Sequence, residues 1–368
     1  MKRKTSTIKL GSTKTPRVQK KERELQQKKF TPSEVPLFFG QQSDILRLDL
    51  LAYPFFEQQL NRGLSCFWIP EEIDLSQDKS DFNKLPAHVQ NLYKRNLQYQ
   101  SLLDTVVSRD FTTLFLPHAS NNELQSYIQW HGFSEMIHSK SYTHILRTVF
   151  DDPSPVFDEV LDIPSIAKRA ESINKYLDAF AENPCMDTLY LACHQVNSLE
   201  GLRFYVSFAC SFAIAESLGS MRSSAQIIKM IARDEVIHMV TFQKLIKTLD
   251  MEYPELARKH EEEVYDMYLE VVEEECEWAD YLLPESASML GLNANLLKDY
   301  VKYLSNLRLK SVGKLPMYDV KKNPLPWINK YLNSDSIQSA PQEIESVQYL
   351  SGATDGKLDI PKFSSFEL

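Results

Sequence analysis

Between residues 122 and 150, a stripe with apolar ends returns at alternating steps of three and four: Leu124, Ile128, His131, Glu135, His138, Tyr142, Ile145 and Val149. Such steps bring side chains back to a single helical face. The apolar outer members turn that face toward a core, so the pattern predicts a helix from about Asn122 to Phe150, stopped by Pro153. The spacing recurs at Cys193, Val196, Glu200, Phe204, Phe208, Ser211 and Ala215, predicting a very apolar helix over about Met186–Ser217. It recurs again at Ile228, Ile231, Glu235, His238, Phe242 and Leu245, predicting one over about Ser223–Leu249. Pro86 suits a first helical turn and opens a fourth, which runs to about Val107 and carries Asp104 among Leu102, Leu103, Val106 and Val107. Further helices are predicted over Ile45–Leu60, Ser165–Ala181 and Pro254–Leu283, with two shorter ones beyond. Phe67-Trp68-Ile69-Pro70 interrupts the periodicity.

The expected fold class is therefore all-α, a helical bundle with additional helices. Only 10 glycines in 368 residues, against an abundance of helix formers, agree with it. Spaced Asn-Gly or Asp-Gly hairpin signals are missing; Thr354-Asp355-Gly356 falls in the tail. Three regions are expected: a basic, unstructured leader over 1–30, a helical domain over 31–335, and a flexible tail over 336–368, where periodicity gives way to Ser, Gln, Pro and Gly.

Charge sharpens this division. The net charge is −9, yet residues 1–30 hold eleven Lys/Arg and two Glu, about +9, which leaves about −18 for the remainder. The leader reads as a solubilising extension rather than a nucleic-acid arm, and it lacks the apolar run of a secretory signal. The most apolar stretch, Phe204 to Ala215, is too short to span a bilayer and follows Arg203. No membrane or nucleic-acid partner is expected. Cys66, Cys185, Cys193, Cys210 and Cys276 show no C-x-x-C spacing and read as reduced thiols of a cytoplasmic protein.

Carboxylates and imidazoles in the middle of apolar stripes are costly to bury unless something compensates. Asp104 precedes Glu135-x-x-His138, and Glu200 precedes Glu235-x-x-His238. A Glu and a His three residues apart project from one helix face and can grip one ion. Brought together in a four-helix bundle, the two halves offer four carboxylates and two imidazoles, the established pattern of ferritin-like di-iron and di-manganese proteins. Four carboxylate charges balance two divalent ions, and oxygen-rich ligation without thiolate suits iron or manganese better than structural zinc. One Glu-x-x-His is weak evidence, since about one arises by chance in a chain with eight histidines; two, each on a buried stripe and each preceded by a buried carboxylate, are not. Tyr142, one turn beyond His138, places an oxidisable phenol near the metals. Phe204, Phe208 and Ile231 are candidates to shield it.

These residues resemble the small, radical-generating subunit of class I ribonucleotide reductase. The matching segments are Phe-Trp-Ile-Pro-Glu-Glu (67–72), Leu-Leu-Asp (102–104), Phe-Ser-Glu-Met-Ile-His-Ser-Lys-Ser-Tyr-Thr-His (133–144), Leu-Glu-Gly-Leu-Arg-Phe-Tyr-Val-Ser-Phe-Ala-Cys (199–210), Ile-Ala-Arg-Asp-Glu-Val-Ile-His (231–238) and Ser-Ala-Pro-Gln-Glu-Ile-Glu (339–345). The resemblance implies a ferritin-like homodimer that makes a tyrosyl radical for deoxyribonucleotide synthesis. Asp104, Glu135 and His138 are implied to bind one iron, Glu200, Glu235 and His238 the other, and Tyr142 to hold the radical. It further implies a radical-transfer route through Trp68, Asp234 and the tail residue Tyr349, with Glu343 needed for coupling, and a C-terminal peptide docking on the large catalytic subunit. Ribonucleoside diphosphates would bind that partner, since this chain carries no Gly-rich phosphate loop. The sequence departs from the family at His131, where many relatives have Trp, so the surroundings of Glu200 are expected to differ. A di-iron oxidase or hydroxylase, or an iron-storage protein, would share the bundle; Tyr142, the Trp68/Asp234 pair and the tail separate this chain from both.

Overall fold

Among the described residues of the computed structural model, 35–43, 45–284 and 291–332, the chain forms thirteen α-helices. They are α1 (Pro54–Ser65), α2 (Ser76–Lys84), α3 (Ala87–Phe115), α4 (Asn122–Val149), α5 (Ser154–Asp158), α6 (Pro164–Glu182) and α7 (Met186–Ser198), then α8 (Phe204–Leu218), α9 (Arg222–Glu252), α10 (Pro254–Lys259), α11 (Glu261–Leu282), α12 (Ala294–Ser311) and α13 (Asn329–Leu332). A single antiparallel bridge, Phe38 to Ala119, is the only strand-like pairing described, so the all-α expectation holds. The leader 1–30 and the tail 336–368 lie outside the described residues.

Four long helices form the centre. α3 packs on α4, α4 on α9, α9 on α8, and α8 back on α3, closing a four-helix ring. The predicted stripes are what closes it: every stripe member named on α4 and α9 is buried. α8 is buried all round its first three turns, from Phe204 to Ile214, as expected of a helix with no polar face. Even so, no helix among the described residues is long and apolar enough to cross a membrane. α1 lies across α4 and α9, and the α11–α12 pair backs onto α7. The approach of α1 to α4 needs Gly63, because a Cβ there would sit 2.0 Å from the Trp130 ring. All five cysteines are free thiols.

Several boundaries differ from the sequence expectation, each for a local reason. The helix expected from Ile45 begins only at Pro54: Ile45, Leu46 and Leu50 are exposed, and the backbone N–H groups of Ala52 and Tyr53 both donate to Glu123 Oε1, at 2.9 and 2.8 Å. α3 continues beyond Val107 to Phe115 because Phe111 and Phe115 extend its buried face. The helix expected over Pro254–Leu283 breaks at His260, whose ring is held between Asp187 (2.7 Å) and Glu263 (3.1 Å). α2 had no predicted counterpart. Its Asp78, buried, accepts from the backbone N–H of Ser223 at 3.2 Å and of Ser224 at 2.6 Å. A carboxylate from another helix thus caps the orphan donors at the start of α9.

The largest departure lies between α7 and α8. A continuous α-helix was expected; instead Leu199–Arg203 form one π-helical turn, entirely buried. Single π-turns inside helices recur at functional sites, and this one carries Glu200.

Candidate metal centre

α3 brings Asp104, α4 brings Glu135 and His138, the π-turn brings Glu200, and α9 brings Glu235 and His238 into one space inside the ring. All six side chains are fully buried. Glu135 and Glu235 occupy the middle. Oε2 of Glu135 lies 3.6 Å from His138 Nδ1, while its Oε1 lies 2.9 Å from His238 Nδ1. Glu235 mirrors this, with Oε1 3.1 Å from His138 Nδ1 and Oε2 3.2 Å from His238 Nδ1. Each central carboxylate therefore spans both imidazoles. Asp104 closes the His138 end and Glu200 the His238 end, where Glu200 Oε2 is 3.7 Å from His238 Nδ1.

The six residues expected from the sequence thus converge. Their grouping differs in one respect from that implied by the resemblance: Glu135 and Glu235 reach both ends instead of one each. His131, the position at which the surroundings of Glu200 are expected to differ, joins the six, with Nε2 3.3 Å from Glu135 Oε1 and 3.4 Å from Glu200 Oε1. The signal for it was present, as His131 is a member of the α4 stripe one turn before Glu135.

The donor set fits a pair of divalent ions. Both oxygens of Asp104, Glu135 and Glu200, with Glu235 Oε1 and His138 Nδ1, have no aligned hydrogen-bond partner although they are buried. Orphaned buried acceptors of this kind are rare in folded proteins, and here they all face one another. By themselves the groups share protons to limit repulsion. Burial, and then the charge of Glu135, hold the Asp104 carboxyl well above its ordinary range. Burial and the charges of Glu200 and Glu135 do the same for Glu235. Burial pushes Glu135 upward, but the close approach of His131 and His138 overrides it and leaves it well below its usual range. Burial and the charge of Glu135 push Glu200 upward, but the approach of Glu235, then of His131 and His238, leaves it at about 2. Burial opposes protonation of His138 and His238, yet the surrounding carboxylates raise both. Two imidazolium charges then offset two carboxylates, as two divalent ions would offset four.

The surroundings orient this set. Arg308 on α12 donates from Nε to the carbonyl of Gly201, at 2.7 Å, and its guanidinium lies 4.7 Å from the centroid of the Tyr205 ring. Arg203, at the end of the π-turn, pairs with Glu274 at 2.7 Å and Glu275 at 3.0 Å on α11. Arg169 and Tyr99 converge on the same Glu275 oxygen, at 3.2 and 2.6 Å. On the His138 side, Asp234 Oδ2 lies 3.3 Å from His138 Nε2 and accepts from Trp68 Nε1 at 2.8 Å.

Tyr142 is fully buried one turn beyond His138, with its hydroxyl lacking an aligned partner. Burial, followed by the neighbouring Asp104 carboxylate, raises its phenol well above the ordinary value. Phe204, Phe208 and Ile231 are fully buried, and the two Phe rings stack at 5.9 Å. Tyr349 and Glu343 lie outside the described residues.

Comparison with known proteins agrees with this arrangement. Residues 48–324 match the family described as "Ribonucleotide reductase, small chain". The chain is 40% identical to ribonucleoside-diphosphate reductase 1 subunit beta of Escherichia coli O157:H7, over 90% of this chain and 96% of that one. It is 41% identical, with the same coverage, to ribonucleoside-diphosphate reductase subunit beta of Haemophilus influenzae. Among solved structures, the ribonucleotide reductase R2 subunit from Clostridium botulinum superposes with a TM-score of 0.77 at 30% identity, covering 80% of this chain and 93% of its own. A family match over most of the length, on a ferritin-like bundle with a buried carboxylate–imidazole cluster able to hold a dinuclear metal site, leaves one assignment: this chain belongs to the ribonucleotide reductase small-chain family.

Proposed function

We propose that this chain is the radical-generating subunit of a ribonucleoside-diphosphate reductase, holding two iron ions and storing an oxidising equivalent on Tyr142. The observation that carries the reading is the closed set of Asp104, Glu135, His138, Glu200, Glu235 and His238 with the Tyr142 phenol buried beside it. Two iron ions held there, with manganese as the alternative, supply electrons for reducing dioxygen and the oxidising power to take one electron from a phenol.

The remaining work falls to the chain. Asp104, Glu135, His138 and Glu235 would hold one ion, and Glu200 and His238, with Glu135 and Glu235 in reach, the other. Tyr142 gives up one electron and its Oη proton, and the Asp104 carboxylate is the base beside it. Burial of Phe204, Phe208 and Ile231 keeps water and reductants away from the radical. Trp68, Asp234 and His138 form a hydrogen-bonded line leading outward from the cluster. Tyr349 and Glu343 in the tail continue that line to a large catalytic subunit, on which the last residues dock and ribonucleotides are reduced. The subunit works as a homodimer.

The test is spectroscopic. Iron-loaded protein exposed to oxygen is expected to give an organic-radical electron paramagnetic resonance signal, which Tyr142→Phe abolishes while two ions remain bound. Absence of the signal, or its survival in the variant, would overturn the radical assignment. Removing the residues after Ser336 is expected to leave the radical and abolish reductase activity with the large subunit; retained activity would refute the docking role.

A further inference from the structure

His131 sits where its ring can do only a few things. It is fully buried, and neither ring nitrogen has an aligned hydrogen bond among the described residues. The ring is clamped face to face on His238, with centroids 3.7 Å apart and planes 13° from parallel, and Phe111 covers it at 4.1 Å. That clamp points Nε2 at Glu135 Oε1 and Glu200 Oε1, at 3.3 and 3.4 Å. Nδ1 of His238 approaches the same two carboxylates, at 2.9 Å from Glu135 Oε1 and 3.7 Å from Glu200 Oε2.

A histidine serving only to donate to Glu200 would approach one oxygen at about 2.7–2.9 Å in line. His131 Nε2 instead stands nearly equidistant from oxygens of two different carboxylates, and aligned with neither. His131 Nε2 and His238 Nδ1 approach the same carboxylates from two nearly parallel rings, so both reach one ion when the His131 ring tilts out of the stack. We infer that His131 is itself a metal ligand, donating through Nε2 to the ion held by Glu200 and His238, so that the two ends of the centre carry different donor sets. The Asp104 end has one imidazole and three carboxylates; the Glu200 end has two imidazoles and the three carboxylates of Glu135, Glu200 and Glu235. Imidazole-rich sites hold late first-row ions more tightly than carboxylate-rich ones, so the Glu200 end fills first with such ions. The inference rests on the dinuclear reading proposed above.

The experiment uses full-length, metal-stripped protein titrated with Co(II) under argon, followed by optical absorption and calorimetry. Wild type is expected to bind two ions in distinguishable steps. His131→Phe removes the nitrogen, whereas His131→Trp keeps a ring N–H donor without a lone pair. Both are expected to weaken one step by about tenfold or more, in the range seen when a metal's immediate surroundings are cut away, and to leave the other within about twofold. Recovery of wild-type affinity in His131→Trp would mean that His131 only donates to Glu200, and would overturn the inference. A crystal structure of the Co(II)-loaded wild type reads the bond directly and does not depend on the variants folding. His131 Nε2 at about 2.1 Å from an ion, the usual imidazole distance, supports a ligand. Two bound ions with Nε2 beyond about 3 Å refute it while leaving the dinuclear reading intact. Failure of the wild type to bind any ion overturns both.

Discussion

The indole N–H of Trp68 donates to Oδ2 of Asp234 at 2.8 Å, and that same oxygen lies 3.3 Å from Nε2 of His138. Arg233 occupies the other oxygen, with Nε and Nη2 at 3.2 and 3.1 Å from Oδ1. Burial opposes ionisation of Asp234, but Arg233 and His138 outweigh it and keep the carboxyl below its usual range. An ionised acceptor at Nε2 keeps the proton on that nitrogen, so that Nδ1, facing Glu135 and Glu235, is the nitrogen that gives up its proton to become a ligand.

Asp234→Asn removes that acceptor charge. Losing a carboxylate behind a metal-binding imidazole costs about 10- to 100-fold in metal affinity, and this loss is expected at the His138 end, measured by competition with a chelator. Trp68→Phe keeps the carboxylate and Arg233, so its affinity is expected within about threefold of wild type. An equal loss in both variants would show that the indole, not the charge, fixes His138.

Metal loading is expected to release protons and to strengthen as pH rises. The carboxylates raise His138 and His238 above the ordinary imidazole value, and burial with like charge raises Asp104 and Glu235. Each must lose its proton to become a ligand. Calorimetry of Mn(II) binding in buffers of different ionisation enthalpy should report on the order of two to four protons released per centre near neutral pH. A value near zero would mean that the imidazoles are already neutral.

The sequence carried the four-helix ring and the six central residues because both depend on spacing within a helix, which a single chain displays. It misjudged what depends on partners distant along the chain. Nothing near Pro54 announces that Glu123 will hold Ala52 and Tyr53 out of a helix. The π-turn at Leu199–Arg203 is invisible to a periodicity argument, since its flanks keep their own phase; it is bound up with Arg308, a hundred residues on, reaching the Gly201 carbonyl. His131 was visible as a polar stripe member. Its orientation was not, because Phe111 and His238 set it from α3 and α9.

His194 is expected to make the fold acid-sensitive. It is fully buried on α7, both ring nitrogens are without partners among the described residues, and burial, then the charges of Lys314 and His260, hold it down to about 3. The unfolded chain takes up the proton near pH 6.5 and the folded chain does not. The associated stability is therefore complete above about pH 6.5 and is lost as pH falls from there to about 3, by up to about 1.4 kcal/mol per pH unit. Relative to wild type, His194→Phe should flatten the fall in urea-unfolding free energy between about pH 6 and pH 4. Parallel profiles would exclude His194 as the titrating group.

Arg308 should control the Glu200 end of the centre without touching it. Its Nε–H gives the Gly201 carbonyl a partner within the π-turn, and the missing Cβ of Gly201 admits it, since a Cβ there would lie 2.9 Å from Nε. Arg308→Met preserves the apolar stem but strands that carbonyl, which costs about 1–3 kcal/mol, and frees the turn to relax toward an ordinary α-helix. Relaxation would rotate Glu200 away from His238 and leave Asp104, on α3, in place. One step of a Co(II) titration is then expected to weaken and the other to remain, together with a lower urea midpoint. Gly201→Ala reaches the same turn from the other side by displacing Arg308, and is expected to weaken the same step. Loss of both steps together in either variant would mean that Arg308 supports the whole bundle and not the π-turn.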